Sequence, residues 1–277
     1  MPSPQADRVP SSAVSAPAAP GADAQAELHA PSAWRAVDFI ADLHLEPAQP
    51  ATWAAWRDYL LATPADAVFL LGDIFEVWIG DDAASPGSFE EGCAAILAQA
   101  ARHRALYFLP GNRDFLLGAD YLARCGMQRL PDPVLLSFAG QRWLLSHGDA
   151  LCLEDRDYQV FRQQVRTPSW QQQFLAQPLA RRHQIARQIR AQSQTRHHTT
   201  PPGDYADADP HLAAQWLGQH RADVLIHGHT HRPAEHRLTL PDGRPARRVV
   251  LSDWDAPRQR LQVLRGTPLG LTRIDLC

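Results

Sequence analysis

Seven side chains that can donate oxygen or nitrogen to a metal ion stand at the ends of five apolar runs. The runs are AVDFIADLHL (36–45), AVFLLGDIFE (67–76), LYFLPGNRD (106–114), RWLLSHGDA (142–150) and DVLIHGHTH (223–231). The seven residues are Asp42, His44, Asp73, Asn112, His147, His229 and His231. Each one alone could be a capped turn or a hydrogen-bonded core group. Five run endings of the same kind instead predict one shared site, since the strand ends of an α/β sheet gather ligands.

The mixture of carboxylate, imidazole and amide groups indicates a centre with two metal ions. Seven ligands are too many for one tetrahedral zinc and suit two divalent ions, with Asp73 as the bridge. Two ions ~3.5–4 Å apart can hold the attacking and leaving oxygens of a phosphoryl transfer. Asp42 with His44, and His229 with His231, are separated by one residue, so extended backbone would send both side chains of a pair to one face. The residue types leave the metal open, because Mn²⁺, Fe²⁺, Co²⁺ and Zn²⁺ all accept them.

The elements that must position these residues are strands alternating with helices, which is typical of an α/β layered fold. The five apolar runs predict strands, and the spacing of apolar residues predicts helices over 53–62 and 90–103. His227 could lie behind the site as readily as in it. Asp114 suits an acceptor that orients a ligand.

Composition limits the class of protein. The chain has 277 residues, is 45% hydrophobic and has a net charge of −3, so it can bury a core and has no overall attraction to nucleic acid. All 27 basic residues are arginine, so each Arg must be judged by its position. Four cysteines without CxxC spacing suit a reducing cytoplasm, and we expect neither a signal peptide nor a membrane span. Residues 1–33, rich in Ala, Pro and Ser, are expected to form a disordered extension before a domain over 34–277.

The motifs DLH, GDIFE, GNRD, HGD and GHTH, in this order, resemble those of the calcineurin-like metallophosphoesterases over about residues 36–255. The resemblance implies a double-layered β-sandwich flanked by helices, with a two-metal centre between strand ends. It implies that one ion takes Asp42, His44, Asp73 and His231. The second ion would take Asp73, Asn112, His147 and His229.

Arg113 departs from the family pattern, because most members carry GNH where this chain has GNR. Arginine cannot give up a proton near neutral pH, so Arg113 can stabilise charge but cannot protonate a poor leaving group. A phosphoanhydride fits this limit, since the departing phosphate monoester has a second pKa near ~6. We therefore predict Asn112 and Arg113 as catalytic residues.

The stretches GNRDFLLG, FEVWIGDD, HGDALCLED and IHGHTHRP further resemble one branch of the family, the pyrophosphatases of lipid A biosynthesis. That resemblance implies water attack on the α-phosphorus of UDP-2,3-diacylglucosamine, giving UMP and 2,3-diacylglucosamine 1-phosphate. It implies two divalent ions, usually Mn²⁺, and peripheral attachment to the cytoplasmic face of the inner membrane of a Gram-negative cell. Matched position by position, the implied substrate contacts are Asn112, Arg113, Asp155, Arg190, Ser193 and His229.

A long insertion over 153–222 separates the fourth and fifth apolar runs. It predicts two or three helices broken at Pro168 and Pro178, and from Tyr158 to Gly203 it contains seven Arg and no acidic residue. Its i, i+4 apolar pairs are Phe161 with Val165, Trp170 with Phe174, and Ile185 with Ile189. These stripes suit either a helical cap packed on the sandwich or a lid over acyl chains beside a basic face.

Several positions stay open. His197 and Thr200 stand where the branch often has Asn and Lys, so we leave both out of the site. Trp78 suits a core position and a wall of the substrate cleft equally, and Asp81 and Asp82 suit a solvated turn. Two other functions compete with the lipid pyrophosphatase. The first is a soluble phosphodiesterase or nucleotide pyrophosphatase. The second is a non-catalytic scaffold, but the presence of all seven ligand-type residues argues against it.

Overall fold

Two six-stranded sheets pack face to face and carry helices on their outer faces. The computed structural model describes residues 26–199 and 206–276, except for the side chains of 192–199. The first sheet contains, in spatial order, β12 (Gly270–Asp275), β11 (Gln262–Thr267), β2 (Val37–Ile40), β3 (Ala67–Leu70), β4 (Ala105–Phe108) and β5 (Met127–Arg129). The second contains β1 (Glu27–His29), β6 (Val134–Phe138), β7 (Gln141–Leu145), β8 (Val224–His227), β10 (Pro245–Val250) and β9 (Ala234–Thr239).

The strands that lead into the predicted site pair in parallel with one another within each sheet. Strands β2, β3 and β4 pair in parallel in the first sheet, and β7 and β8 do so in the second. Both faces of these strands are covered, which explains why they read as continuous apolar runs. In β2, Phe39 faces the core between the sheets, where its ring lies 5.7 Å from that of Trp143, whereas Ile40 belongs to the core beneath the helices. The predicted double-layered sandwich is confirmed.

Seven helices are present in the described residues: α1 (Pro50–Ala62), α2 (Phe89–Ala101), α3 (Ala119–Cys125), α4 (Arg156–Val165), α5 (Pro168–Leu175), α6 (Leu179–Thr199) and α7 (Pro210–His220). Helices α1 to α3 cover the first sheet, and α7 covers the second. The breaks at Pro168 and Pro178 are found, because α5 begins at the first proline and α6 just after the second. No helix in the described part of the chain is long and apolar enough to cross a bilayer.

The structure differs from the predicted boundaries in two places. Strand β1 lies inside the predicted extension, where it pairs in parallel with β6, and Leu28 and Trp34 pack against the core between the sheets. The pairing of the backbone and the burial of these apolar side chains offset the conformational entropy that is lost on folding. The composition of the segment did not indicate these contacts. Residues 1–25 lie outside the described residues. Within the predicted insertion, α7 is the crossover helix between parallel β7 and β8, so only α4 to α6 stand outside the sandwich layers.

Candidate active site

One half of the predicted cluster forms where β2, β3 and β8 end. The ligand atoms of Asp42, His44 and His231 all lie within 4.8 Å of one another. The Nε2 atoms of His44 and His231 are 3.3 Å apart, and Nε2 of His231 is 3.4 Å from Oδ1 of Asp42. Asp42 Oδ1 is buried and has no hydrogen-bond partner among the described residues, which leaves a carboxylate oxygen close to two imidazole nitrogens. This donor set fits a divalent cation.

The second half forms around Asn112, at the end of β4. Its Oδ1 lies 2.8 Å from Nε2 of His147 and 2.9 Å from Nδ1 of His229. Asp73 stands between the halves, with Oδ1 3.6 Å from Nε2 of His147 and Oδ2 3.9 Å from Nε2 of His44. The structure therefore brings all seven side chains together. The ligand atoms of Asp42, Asp73 and His147 also lie within 4.8 Å of one another, so the two halves are contiguous. His229 and His231 belong to different halves, so they do not share one face as their spacing suggested.

The backbone at this cluster is unusual. Asp42, His44, Asp73, His229 and His231 all have φ between 46° and 68°. Positive φ is uncommon for residues other than glycine and costs of order 1–3 kcal/mol per residue, so it persists only where the surrounding fold imposes it. The extended backbone that we predicted at these pairs is therefore wrong. Left-handed turns, not the alternation of a strand, direct the side chains into the site.

Two glycines allow the turns to approach each other closely. A Cβ atom on Gly111 would overlap the carboxylate and backbone nitrogen of Asp73. A Cβ on Gly228 would overlap the carboxylate of Asp42 in the same way. The backbone nitrogens of the next turns bind these same carboxylates, since His229 N donates to Asp42 Oδ2 and Arg113 N to Asp73 Oδ1, both at 2.8 Å. Glycine at these two positions thus lets both acidic ligands be fixed by neighbouring loops.

Acceptors behind the cluster orient two of its histidines. His147 Nδ1 donates to the carbonyl oxygen of Leu71 at 2.9 Å, and His44 Nδ1 lies 2.8 Å from Glu76 Oε2. In both rings Nε2 then faces the site, which is the arrangement by which outer partners fix a metal-binding imidazole. His227 lies buried behind the site, with Nδ1 2.8 Å from the carbonyl of Gly228.

Charge is concentrated around these histidines. Burial opposes protonation of His147, but the carboxylates of Asp73 and Asp42 outweigh it and raise its pKa to about 9. Burial and the neighbouring His147 lower the pKa of His229 to about 3. Burial and the charge of Asp73 raise the pKa of Asp114 to about 6. The carboxylates thus favour positive charge at His147, whereas the low pKa of His229 keeps its ring neutral, the form in which an imidazole binds a metal ion.

Arg113 lies directly beside the acidic bridge. Its backbone nitrogen donates to Asp73, and its carbonyl accepts from Trp78 N at 2.9 Å. The side chain is 25% exposed, its NH1 lies 3.8 Å from Glu76 Oε1, and its buried Nε has no hydrogen-bond partner in the described part of the chain. A charged donor is thus left beside the cluster, where it can meet an oxyanion. Asp114 orients the loop itself, because it accepts from Gly111 N at 2.9 Å and from Ile74 N at 2.7 Å.

Glu76 and Asp149 belong to this site although the sequence analysis assigned them no role. Glu76, 12% exposed, contacts His44 and Arg113, and its Oε1 lies 2.8 Å from Arg190. Asp149 is fully buried and accepts from Tyr158 OH at 2.6 Å and from Arg162 Nε at 2.8 Å. Both stand in the quoted motifs GDIFE and HGD, so the signal was present in their position just after a strand.

Of the substrate contacts predicted in the insertion, the structure places one at the site and one at an exposed helix start. Arg190 reaches the site, since it pairs with Glu76 at 2.8 Å and lies 3.8 Å from Glu46. Asp155 is exposed, and its carboxylate accepts from Tyr158 N at 3.1 Å at the start of α4. The side chain of Ser193 lies outside the described residues. The same holds for the side chain of His197 and for all of Thr200.

Trp78 occupies the core. Its ring lies 4.4 Å from Tyr121, its side chain is buried, and its indole nitrogen donates to Asp81 at 3.1 Å. The turn at Asp81 and Asp82 is only partly solvated, since Asp82 is 60% exposed while Asp81 is half-buried. Asp81 also accepts from the backbone nitrogens of Gly118 and Tyr121, and Asp82 pairs with buried Arg182 of α6. These carboxylates tie the turn to α3 and to the insertion.

The apolar stripes of the insertion are partly used for packing. Trp170 and Phe174 stack with ring centroids 4.9 Å apart, and both contact the core beneath the helices of the first sheet. Ile185 packs against the same core. Part of the stripe thus serves as a structural cap, the first of the two alternatives considered.

The fold and the two-part cluster define a class of protein. Residues 36–233 match the calcineurin-like phosphoesterase family, and the chain belongs to this family. It is therefore a hydrolase of a family that uses divalent metal ions, and the resemblance based on five motifs is confirmed.

The comparisons also identify a particular group within the family. The chain is 45% identical over 225 residues to a UDP-2,3-diacylglucosamine hydrolase of Xanthomonas campestris pv. campestris, covering 78% of this chain and 90% of that protein. A protein of the same name from Chromobacterium violaceum is 44% identical over 247 residues, covering 85% and 99%. A solved archaeal phosphodiesterase aligns with a TM-score of 0.42 at 11% identity, covering 87% of this chain and 99% of that one. The predicted resemblance to this branch is confirmed by the curated relatives.

Proposed function

We propose that the protein hydrolyses the pyrophosphate bond of UDP-2,3-diacylglucosamine in lipid A biosynthesis. A water oxygen bonds to the α-phosphorus, the bond from this phosphorus to the bridging oxygen breaks, and UMP and 2,3-diacylglucosamine 1-phosphate are released. Relatives of this name at 44–45% identity support the substrate. The observation that carries the proposal is the position of Arg113, a permanent cation whose backbone nitrogen binds Asp73 and whose NH1 lies 3.8 Å from Glu76, the carboxylate beside His44.

The cluster is proposed to hold two divalent ions, most fittingly Mn²⁺. Asp42, His44 and His231 would hold one ion and Asn112, His147 and His229 the other, with Asp73 shared. Bound ions would supply Lewis-acid polarisation of the phosphoryl oxygens. The mixed oxygen and nitrogen donors and the orphaned oxygen of Asp42 support this assignment.

Arg113 and Asn112 are the proposed catalytic residues of this chain. Arg113 stabilises negative charge that develops on the phosphoryl oxygens, and it does so without donating a proton. The bond that breaks must therefore release a stable anion, and the sugar 1-phosphate meets that condition. Asn112 positions a phosphoryl oxygen through its side-chain amide, because its Oδ1 is held between His147 and His229.

The remaining proposed contacts involve the insertion. Arg190 offers its guanidinium at the rim of the site, and Asp155, Ser193 and His229 complete the proposed set. Arginines of the insertion are proposed to face anionic headgroups, placing the protein peripherally on the cytoplasmic face of the inner membrane.

The test is a comparison of two substrates. Purified protein with Mn²⁺ is incubated with UDP-2,3-diacylglucosamine in detergent, and in parallel with UDP-N-acetylglucosamine, and UMP release is measured. We expect strong preference for the acylated substrate, and Asp73→Ala serves as the inactive control. Equal turnover of both would overturn the lipid assignment and favour a soluble nucleotide pyrophosphatase, for which the packing of Trp170 and Phe174 on the core is the supporting observation.

A further inference from the structure

We propose that Arg166, which caps the C-terminal end of α4, is a positioning residue that sets the geometry of the Asn112–Arg113 loop. This makes the insertion part of the machinery that orients the reacting groups, in addition to any role in lipid binding. The inference deepens the proposed function and rests on it for its kinetic consequence. Its structural consequence can be measured independently.

Four contacts hold the backbone of this loop. Asp114 accepts from Gly111 N, Asp73 accepts from Arg113 N, and Trp78 N donates to the carbonyl of Arg113. These three come from the sandwich and its loops. The fourth comes from the insertion, where Arg166 NH2 donates to the carbonyl oxygen of Gly111 at 2.9 Å.

The Gly111 carbonyl is a sensitive point at which to hold the loop. It belongs to the peptide group that leads into Asn112, so its orientation sets the direction in which the Asn112 side chain leaves the backbone. The Asn112 side chain has little freedom, because its Oδ1 lies 2.8 Å and 2.9 Å from two imidazole nitrogens. Gly111 has no side chain of its own to restrict rotation, so an external donor is needed to fix this peptide group.

Asp149 fixes the donor in turn. Its buried Oδ2 lies 3.4 Å from Arg166 NH2 and 2.8 Å from Arg162 Nε, and it accepts from Tyr158 OH at 2.6 Å. Desolvated ion pairs of this kind hold their partners in one geometry, since separating them leaves a buried charge without compensation. The Arg166 guanidinium also lies over the ring of Phe115, 5.1 Å from its centroid, which limits its rotamers. Arg166 is therefore held on both sides while it donates to Gly111.

Helix α4 reaches Asn112 by a second route. The Tyr158 ring stacks on that of His229 with centroids 5.9 Å apart, and His229 Nδ1 contacts Asn112 Oδ1. Asp149 thus fixes both Tyr158 on α4 and Arg166 at the end of this helix, and each of them acts on the loop that carries Asn112. We assign Arg166 the positioning role because its hydrogen bond acts on the loop backbone itself.

Arg162 provides a matched control for Arg166. Both arginines pair with Asp149, and their side chains are 22% and 20% exposed, but only Arg166 is hydrogen-bonded to Gly111 in the described part of the chain. The variants Arg162→Met and Arg166→Met each keep the aliphatic stem and remove the guanidinium. The Arg→Gln pair replaces them if a Met variant does not fold.

The experiment measures kinetics and amide hydrogen exchange on the full chain. For Arg166→Met we expect kcat to fall ~10–100-fold, because small displacements of reacting groups have effects of that size, with KM within about twofold. We also expect faster exchange of the peptide spanning 109–116 than in Arg162→Met, at similar Tm. Equal kcat and equal exchange in the two variants would overturn the positioning role. If wild-type protein does not hydrolyse the lipid nucleotide, the proposed function fails, while the exchange comparison still decides whether Arg166 holds the loop.

Discussion

Replacing Glu76 with glutamine removes a charge that the structure places among three functional residues. Oε2 lies 2.8 Å from His44 Nδ1, and Oε1 lies 2.8 Å from Arg190 and 3.8 Å from Arg113. Glutamine keeps the size of the side chain and one acceptor oxygen, but its amide nitrogen is a donor that cannot accept from these groups. We therefore expect Glu76→Gln to fold normally and to bind metal more weakly at the half that contains His44.

The size of the expected loss in metal affinity follows from the burial of Glu76. The side chains of His44 and Glu76 are 15% and 12% exposed, so the ion pair between them is little screened, and we expect its loss to weaken metal binding by ~1.4–2.8 kcal/mol. At about 1.4 kcal/mol per factor of ten, the affinity for one divalent ion should fall ~10–100-fold. Outer partners of metal-bound histidines have effects of this size. In the ion pair between Glu76 and Arg190 the arginine side chain is 32% exposed, so this pair should contribute less than ~1 kcal/mol to the effect of the substitution.

The assay is a Mn²⁺ titration of metal-free protein, followed by electron paramagnetic resonance or calorimetry. Glu46→Gln is the matched control, since Glu46 also approaches Arg190, at 3.8 Å, and has no recorded contact with His44 in the described residues. Glu76→Gln should weaken one of two binding events, and Glu46→Gln should leave both within about twofold of wild type. The same affinity in both variants would refute the claim that Glu76 orients His44.

Three further predictions test the site. Arg113→Ala should lower kcat ~10²–10³-fold with metal content unchanged, and an unaltered rate would remove Arg113 from catalysis. Asp73→Ala should weaken the binding of both ions because the oxygens of Asp73 face both halves of the site, whereas His44→Ala should weaken mainly one ion. Metal analysis measures both losses. Equal loss of both ions in the His44 variant would contradict the bridging role of Asp73. Gly111→Ala should lower metal content and activity because its Cβ would overlap the Asp73 carboxylate, while Gly92→Ala, where a Cβ meets nothing within 4 Å, should change neither. Normal metal loading of Gly111→Ala would show that the loops can separate at no cost.

Much of the site was accessible from the sequence because its residues follow apolar runs. A strand buried on both faces is largely apolar, apart from a paired group such as Asp38 of β2, so the point at which polar residues become frequent marks the edge of the sheet. Asp42, Asp73, Asn112 and His147 all stand at such points, and the structure brings them together. The breaks between α4, α5 and α6 could also be predicted from the prolines, because proline favours the first turn of a helix and disrupts a preceding one.

Other features could not be predicted because they depend on contacts between distant parts of the chain. The extended backbone expected at Asp42 and His229 was wrong, since local spacing cannot report the left-handed turns that neighbouring loops impose. Trp78 was ambiguous until Tyr121, 43 positions later in the sequence, was seen packed on its ring. Strand β1 was placed outside the fold because its composition does not reveal the edge of β6 that pairs with it.

The sequence by itself determined the layered α/β class, the ligand-type residues and the arginine that limits the leaving group, because residue type and local periodicity encode burial and chemistry. Only the tertiary structure decided how the two halves of the site meet at Asp73, and that Glu76 contacts His44 and Arg166 contacts the Gly111 carbonyl. These partners lie 32 and 55 positions apart in the chain. Their proximity arises from the packing of two sheets and an insertion, and no local pattern records it.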